Sequence, residues 1–268
     1  MLDTSPFQDA DKYAAYLKTP AGKLRSELAW ENLSNFLPGN ASKWRALDLG
    51  GGPGSSSIQL ARMGWDVVLL DGSEEMLRIA RQQAEAGGVA RRISFLRADA
   101  GQLPELFDAG SIDFVVCHNL LEYLHDPSAT VRDIARILRK DAVISLLLRN
   151  RVGEVLKAAI KSGDWKLATS NLRADTVVDS LFGEPLRVFN PAEVRDLCRR
   201  ANLEIIAEYG VRVFSDYLGR ESLTDDAYRQ VFELESTLGA RPEFAAIARY
   251  TQVIARRFCA STSKETRP

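Results

Sequence analysis

Residues 46–54 read Ala-Leu-Asp-Leu-Gly-Gly-Gly-Pro-Gly, and residues 67–71 read Val-Val-Leu-Leu-Asp. The first stretch is an apolar run with one acid, Asp48, followed by a glycine cluster and then a helical pattern. That order predicts a strand, a tight turn and a helix N-terminus. Glycines let the backbone press against a ligand where a Cβ would clash. The second stretch is an apolar strand that ends in a carboxylate, Asp71. At that place in a doubly wound sheet an acid can accept both hydroxyl hydrogens of a ribose. The first half of the chain is therefore expected to hold a nucleoside. A dinucleotide fingerprint would read G-x-G-x-x-G and face a pyrophosphate. Here Gly50-Gly51-Gly52 is followed by Pro53-Gly54, and no Lys or Arg sits in the loop. The spacing argues for a nucleoside ligand without phosphate.

A chain of 268 residues accommodates one large α/β domain with decorations, or two small ones. The formal net charge of -1 gives no general electrostatic pull on nucleic acid. Cys117, Cys198 and Cys259 lie far apart in apolar or amphipathic settings, as expected of reduced core thiols in a cytoplasmic protein. With two histidines and no Cys/His cluster, no metal site is expected. No apolar run reaches membrane-spanning length, and the N-terminus has no basic and then apolar signal region. No membrane partner is expected, and the oligomeric state is not legible.

Two helical patterns open the chain, at about 9–18 and 22–37, and Pro38-Gly39-Asn40 ends the second. Strands then alternate with helices: strand 45–49, helix 54–63, strand 66–70, helix 73–86, strand 93–96, strand 112–117, helix 128–138 and strand 142–148. This alternation predicts a parallel sheet. Residues 151–186 read as weak helices without a strand. Asn190-Pro191-Ala192-Glu193 is a helix start, followed by strand 204–214, a helical insertion at 225–238 and a last strand at 249–258. The expected organisation is an N-terminal helical cap (1–40), a main α/β domain (41–260) with insertions at about 151–189 and 219–247, and a frayed polar tail (261–268).

Three further constellations carry chemistry. Asp99-Ala100 follows a strand, where Asp is a common turn residue; in class I S-adenosylmethionine-dependent methyltransferases, which the 48–54 loop resembles, an acid at this place accepts from the adenine amino group. His118-Asn119 ends a clean apolar strand at the sheet edge where open α/β sheets bind ligands. Arg25 is a cation on a helix with an apolar stripe, and its fork suits a carboxylate.

The loop DLGGGPG (48–54) resembles the first motif of class I S-adenosylmethionine-dependent methyltransferases. GKLRSELAW (22–30), CHNLLEYLHDP (117–127) and GVRVFSDYL (210–218) look like the bacterial tRNA 5-carboxymethoxyuridine methyltransferases, and this similarity runs from about residue 22 to 255. The resemblance implies a Rossmann-like, doubly wound, seven-stranded and mostly parallel sheet whose last strand is antiparallel. It implies S-adenosylmethionine as cofactor, touched by Arg25, Gly50, Gly51, Asp71, Ala100 and His118, with Gly52 and Asp99 beside them. It also implies a carboxylate acceptor on a modified uridine. Relatives acting on tRNA carry a dense basic run before the Asn-Pro helix. In this chain residues 167–185 hold one cation, Arg173, and three acids. The acceptor is thus tRNA or a small carboxylic acid. An ionised carboxylate needs no general base, only clamps, for which Arg149, Asn150, Arg212 and Tyr217 are candidates, with Asp216 steadying Arg212. A neutral acceptor would need a base, and His118 is the best placed. The alternatives are a small-molecule methyltransferase of the same fold and a non-catalytic cofactor-binding protein.

Overall fold

The computed structural model describes residues 9–38, 44–218 and 223–258. The 261–268 tail, Cys259 and Gly39-Asn40 lie outside them. Seven strands form the main sheet: β1 (Arg45–Leu49), β2 (Asp66–Asp71), β3 (Ile93–Arg97), β4 (Ile112–His118), β5 (Leu138–Arg149), β8 (Leu203–Val211) and β9 (Tyr250–Arg257). A separate two-stranded antiparallel hairpin, β6 (Thr176–Val178) and β7 (Pro185–Arg187), falls between β5 and β8 in the chain. The sheet order is β3-β2-β1-β4-β5-β9-β8. The five strands from β3 to β5 are parallel, and β9 runs antiparallel to both neighbours. This is the doubly wound topology that the strand–helix alternation and the resemblance predict.

The helices are α1 (Ala10–Lys18), α2 (Pro20–Ser34), α3 (Ser55–Arg62), α4 (Glu74–Ala86), α5 (Leu103–Leu106), α6 (Pro127–Ile137), α7 (Arg151–Leu156), α8 (Trp165–Asn171), α9 (Pro191–Arg200), α10 (Asp225–Gly239) and α11 (Pro242–Ala245). Their starts follow local chemistry. Ser73 caps α4 by accepting from the Met76 N–H, with Glu74 and Glu75 in its first turn. Asn190 and Glu193 cap α9 reciprocally. The parallel strands are buried on both faces: one core cluster joins Leu47, Val115, Ile144 and α6, and the other joins Ala46, Leu69, Phe114 and α3–α4.

Two expectations need correction. Segment 151–186 contains the β6–β7 hairpin as well as helices. Strands of three residues are too short to show an alternating pattern, and Pro185 at the ladder's end hides the second. The fifth strand begins at Leu138 rather than Ala142, because the pairing with β4 continues across an irregularity where Asp141 has φ 62°.

The N-terminal helices are tied to the sheet by buried polar bonds. Gln252, fully buried on β9, accepts from Asn32 on α2 at 2.9 Å and donates to the Ala29 carbonyl at 2.9 Å and Ser145 Oγ at 3.1 Å. Gln252→Leu would remove the bond to the buried Asn32 amide, one bond to Ser145 and one to a helical carbonyl in a dry interior. The expected cost is about 1–3 kcal/mol, read as a lower urea midpoint. An unchanged midpoint would show that the network does not hold α2 in place.

Candidate active site

The glycine loop folds back on β2. The Gly50 and Gly51 N–H groups donate to the Leu70 carbonyl at 2.8 and 3.3 Å, and Gly52 N–H donates to Asp71 Oδ2 at 2.9 Å. Part of the need for glycine is internal. A Cβ on Gly51 would meet the Asp48 carboxylate at 2.9 Å and Leu69 at 2.8 Å. Gly50 adopts φ 67°, a left-handed conformation that costs an L side chain energy. Asp48 accepts from Ser57 N at 3.0 Å and Ser57 Oγ at 2.6 Å, pinning the start of α3 beneath the loop. Burial pushes the Asp48 carboxyl up to about 6. Asp71 accepts from Gly52 N and Ser73 N, one on each oxygen, so each oxygen keeps a lone pair for a ligand. Burial raises its pKa from the ordinary carboxylate range.

A cavity of about 640 Å³ opens above the carboxyl ends of β1, β2, β4 and β5. Arg25, Gly50, Gly52, Asp71, Asp99, Ala100, His118, Arg149 and Arg212 line it, so nine residues singled out from the sequence converge there. Tyr13 and Tyr16 of α1 and Arg25 of α2 cover one side, and Phe182 from the β6–β7 turn stacks on Tyr13 with ring centres 6.2 Å apart. Arg25 donates to Tyr13 Oη at 2.8 Å. Among the described residues, no carboxylate lies within ion-pair distance of it. Asp99 caps the following 3-10 turn by accepting from Gly101 N at 2.8 Å.

Three sequence candidates do not line this cavity. Gly51 faces its own neighbours, as above. Asn150 is fully buried and donates to the Ala246 and Ala248 carbonyls at 3.0 and 2.8 Å while capping α7. Its amide is committed to the fold. Tyr217 is half-buried beyond the lining, on the short turn after β8.

The far end of the cavity is dominated by charge. Arg149, Arg212 and Arg249 share three acids. Arg149 meets Glu154 at 3.2 Å and Asp179 at 3.4 Å; Arg249 meets Glu154 at 2.8 Å and Asp216 at 3.7 Å; Arg212 pairs with Asp216. Every one of these six side chains is largely buried. Arg212 stands at φ 63°, an outlier for a long side chain. The strain is held by Glu235 of α10, fully buried, whose carboxylate accepts from the backbone N–H groups of Val213, Phe214 and Ser215 at 2.5, 3.1 and 2.7 Å. Sequence reasoning missed Arg249, Tyr250 and Glu235. A charged and a phenolic residue at the entry of an apolar strand was the available signal.

His118 Nε2 lies 2.7 Å from Ser145 Oγ. Burial, aided by the Arg25 charge, pulls its pKa down to about 3. The imidazole is neutral at physiological pH and is a weak base, so it does not fit the role of a general base.

A methyltransferase domain family model matches residues 47–146. The chain is 29% identical to the tRNA 5-carboxymethoxyuridine methyltransferase of Escherichia coli (strain K12), over 89% of this chain and 90% of that one. It is 30% identical to the ubiquinone biosynthesis O-methyltransferase of Xanthomonas euvesicatoria pv. vesicatoria, over 45% of this chain and 49% of that one. A solved S-adenosylmethionine-dependent methyltransferase from Thermotoga maritima has the same fold, with a TM-score of 0.61 at 16% identity, covering 95% of this chain and 98% of that one. This sheet order, this glycine loop and these matches support a class I S-adenosylmethionine-dependent methyltransferase. A similarity that spans nearly the whole chain is to the tRNA 5-carboxymethoxyuridine methyltransferase. Among the described residues, no cluster of His, Cys, Asp or Glu could hold a metal, and no helix is long and apolar enough to cross a membrane.

The His118 environment has a consequence for pH. Unfolded, this side chain protonates near 6.5; folded, it stays neutral until about 3. Its contribution to stability is therefore complete above about pH 6.5 and is lost as pH falls. Asp48, held up at about 6, acts in the opposite direction. His118→Asn is expected to flatten the acid limb, with a urea midpoint that falls less than the wild-type midpoint between about pH 6.5 and 5. Equal slopes in the two proteins would show that His118 titrates normally.

Proposed function

We propose that this methyltransferase transfers its methyl group to a carboxylate oxygen, with 5-carboxymethoxyuridine in tRNA as the leading acceptor. One observation carries the reading: Arg149, Arg212 and Arg249 converge at the cavity end opposite the nucleoside-type groups. Guanidinium forks match carboxylates in geometry and charge. S-adenosylmethionine supplies an electrophilic methyl group on a sulfonium. Asp71 would take its ribose hydroxyls, Asp99 and the Ala100 backbone its adenine, and Arg25 its carboxylate. His118, neutral, would serve as a hydrogen-bonding wall. In this reading α1 and α2 act as a lid, and the stack of Tyr13 on Phe182 completes the exclusion of water.

The acceptor carboxylate is already ionised at neutral pH, so the residues around it have no proton to remove. One oxygen must lie in line with the methyl carbon and the sulfur. A C–O bond forms as the C–S bond breaks, and the electron pair leaves on sulfur. Arg212, steadied by Asp216, and Arg149, steadied by Glu154 and Asp179, would fix that oxygen. Holding two reactants in such a pose can supply several kcal/mol of the barrier.

A small carboxylic acid is the second acceptor reading, and the sparse cations of the insertion favour it. Lys157 and Lys161 line the cavity, but residues 167–185 oppose Arg173 with Asp175, Asp179 and Glu184. Phosphate contacts supply most of the affinity for nucleic acid. Binding of tRNA is therefore expected to be weak.

Two variants separate the ends of the site. Asp71→Ala should weaken S-adenosylhomocysteine binding tenfold or more by calorimetry, because a hydrogen bond to a charged group is lost, worth roughly 1.5–3 kcal/mol. Unchanged affinity would remove the ribose assignment. Arg212→Lys keeps the charge and loses the fork, so it should cut turnover on the true acceptor while sparing cofactor affinity. Methyl transfer to tRNA carrying 5-carboxymethoxyuridine, run beside a panel of small carboxylic acids, decides the acceptor. Transfer to neither would end the carboxylate reading.

A further inference from the structure

Tyr250 is 2% exposed and sits inside the arginine cluster. The guanidinium carbons of Arg149, Arg25 and Arg212 lie 4.9, 5.7 and 5.9 Å from its ring centre, and Arg249 is its chain neighbour. Strand register places it there. Tyr250 on β9 pairs with Arg149 on β5 and with Val211 on β8, one residue before Arg212.

The charges that face it come from every surrounding element. The cations are Arg25 (α2), Arg149 (β5), Lys157 (the π-turn after α7), Arg212 (after β8) and Arg249 (before β9). The acids are Glu154 (α7), Asp179 (the hairpin turn) and Asp216 (after β8), with Glu122 buried below Arg149 and its pKa pushed up, first by burial. Tyr16 of α1 is a second phenol, receiving a hydrogen bond from Arg212 at 3.0 Å. Three acids are shared among three arginines, which leaves Arg25 and Lys157 without an acid of their own here. Burying uncompensated charge is expensive. Burial would push the Tyr250 phenol up, but Arg149, Arg25, Arg212 and Arg249 outweigh it and bring it down to about 6. Lys157 responds to the same surplus: burial and Arg249 lower it to about 8.

We propose that Tyr250 is the internal counter-ion of this arginine cluster: an anion while Arg149, Arg212 and Arg249 hold no carboxylate ligand, and a neutral phenol once one has entered among them. The proton comes from solvent and forms the phenolic O–H bond, and no other bond changes. The link to catalysis rests on the carboxylate-acceptor reading, because the acceptor would take over the charge that the phenolate supplies. Tyr250 is thus a positioning residue. It keeps the arginine forks apart and oriented in the empty site, and it yields when the acceptor binds.

Spectroscopic titration of the full chain tests this directly. Wild type minus Tyr250→Phe should show one tyrosinate band in the near ultraviolet that appears around pH 6, far below the ordinary tyrosine range near 10. Arg149→Gln, which removes the nearest guanidinium, should move that midpoint upward and provides the test if Tyr250→Phe does not fold. At neutral pH, saturating acetate, and separately 5-carboxymethoxyuridine added to enzyme filled with S-adenosylhomocysteine, should bleach the band and take up a proton from a pH indicator. No tyrosinate below the ordinary range overturns the proposal. So does an intact band when calorimetry shows that either carboxylate is bound. Failure of the nucleoside to bind, with acetate still bleaching the band, counts against the acceptor reading alone.

Discussion

β9 enters the sheet antiparallel between β5 and β8, and the site depends on that reversal of direction. β5 and β8 end at the same edge at which β9 begins. Arg149, the last residue of β5, therefore lies beside Tyr250, the first of β9, while Arg212 follows the end of β8. Backbone bonds fix the spacing: Arg249 N–H donates to the Arg212 carbonyl at 2.8 Å, and Asn150 N–H to the Arg249 carbonyl at 3.1 Å. A fully parallel sheet would put the start of this strand at the opposite edge and scatter the cluster.

Crowding four guanidinium groups together obliges the rest of the fold to compensate. Glu154 comes from α7, Asp179 from the hairpin turn and Asp216 from the turn after β8. Insertion 151–189 is thus part of the site's charge balance as well as its wall. Glu235 plays a different part, since it accepts three backbone N–H groups and so holds the turn that carries Arg212 and Asp216. Its helix, α10, is in turn fastened to α2 by Tyr228 to Glu27 at 2.5 Å and Ser236 to Glu31 at 2.9 Å. Helix α2 and the turn that carries Arg212 therefore share one support.

The glycine-loop end of the cavity was legible in the sequence because its parts are local. Asp48, Gly50–Gly54 and Asp71 belong to one strand–turn–helix–strand unit, and their backbone partners lie within it. The helix caps and most strand limits were legible for the same reason. The arginine end was not, because its members meet only through sheet register. Arg249 and Tyr250 are a hundred residues from Arg149 in the chain, and nothing in the local pattern says that β9 reverses beside β5. Asn150 and Tyr217 lie just beyond strand ends, yet neither lines the cavity. At Asn150 the side chain turns into the fold, because a helix starts there and needs a cap. Neighbours in sequence at a strand end alternate in direction, so adjacency is a poor guide to which side chain enters a cavity.

The acids that share the arginines also bear on rate. Methyl transfer from a sulfonium to a carboxylate consumes one positive and one negative charge, so the transition state is less charged than the bound reactants. Groups that bind the starting carboxylate more tightly than the transition state raise the barrier. A set of unpaired arginines would do that. With Arg149, Arg212 and Arg249 already committed to Glu154, Asp179 or Asp216, their pull on a carboxylate held there, as the proposed reaction requires, is weakened while the geometry of the forks is kept. The pairing in this cavity therefore favours orientation over tight ground-state binding, as a reaction that annihilates charge requires.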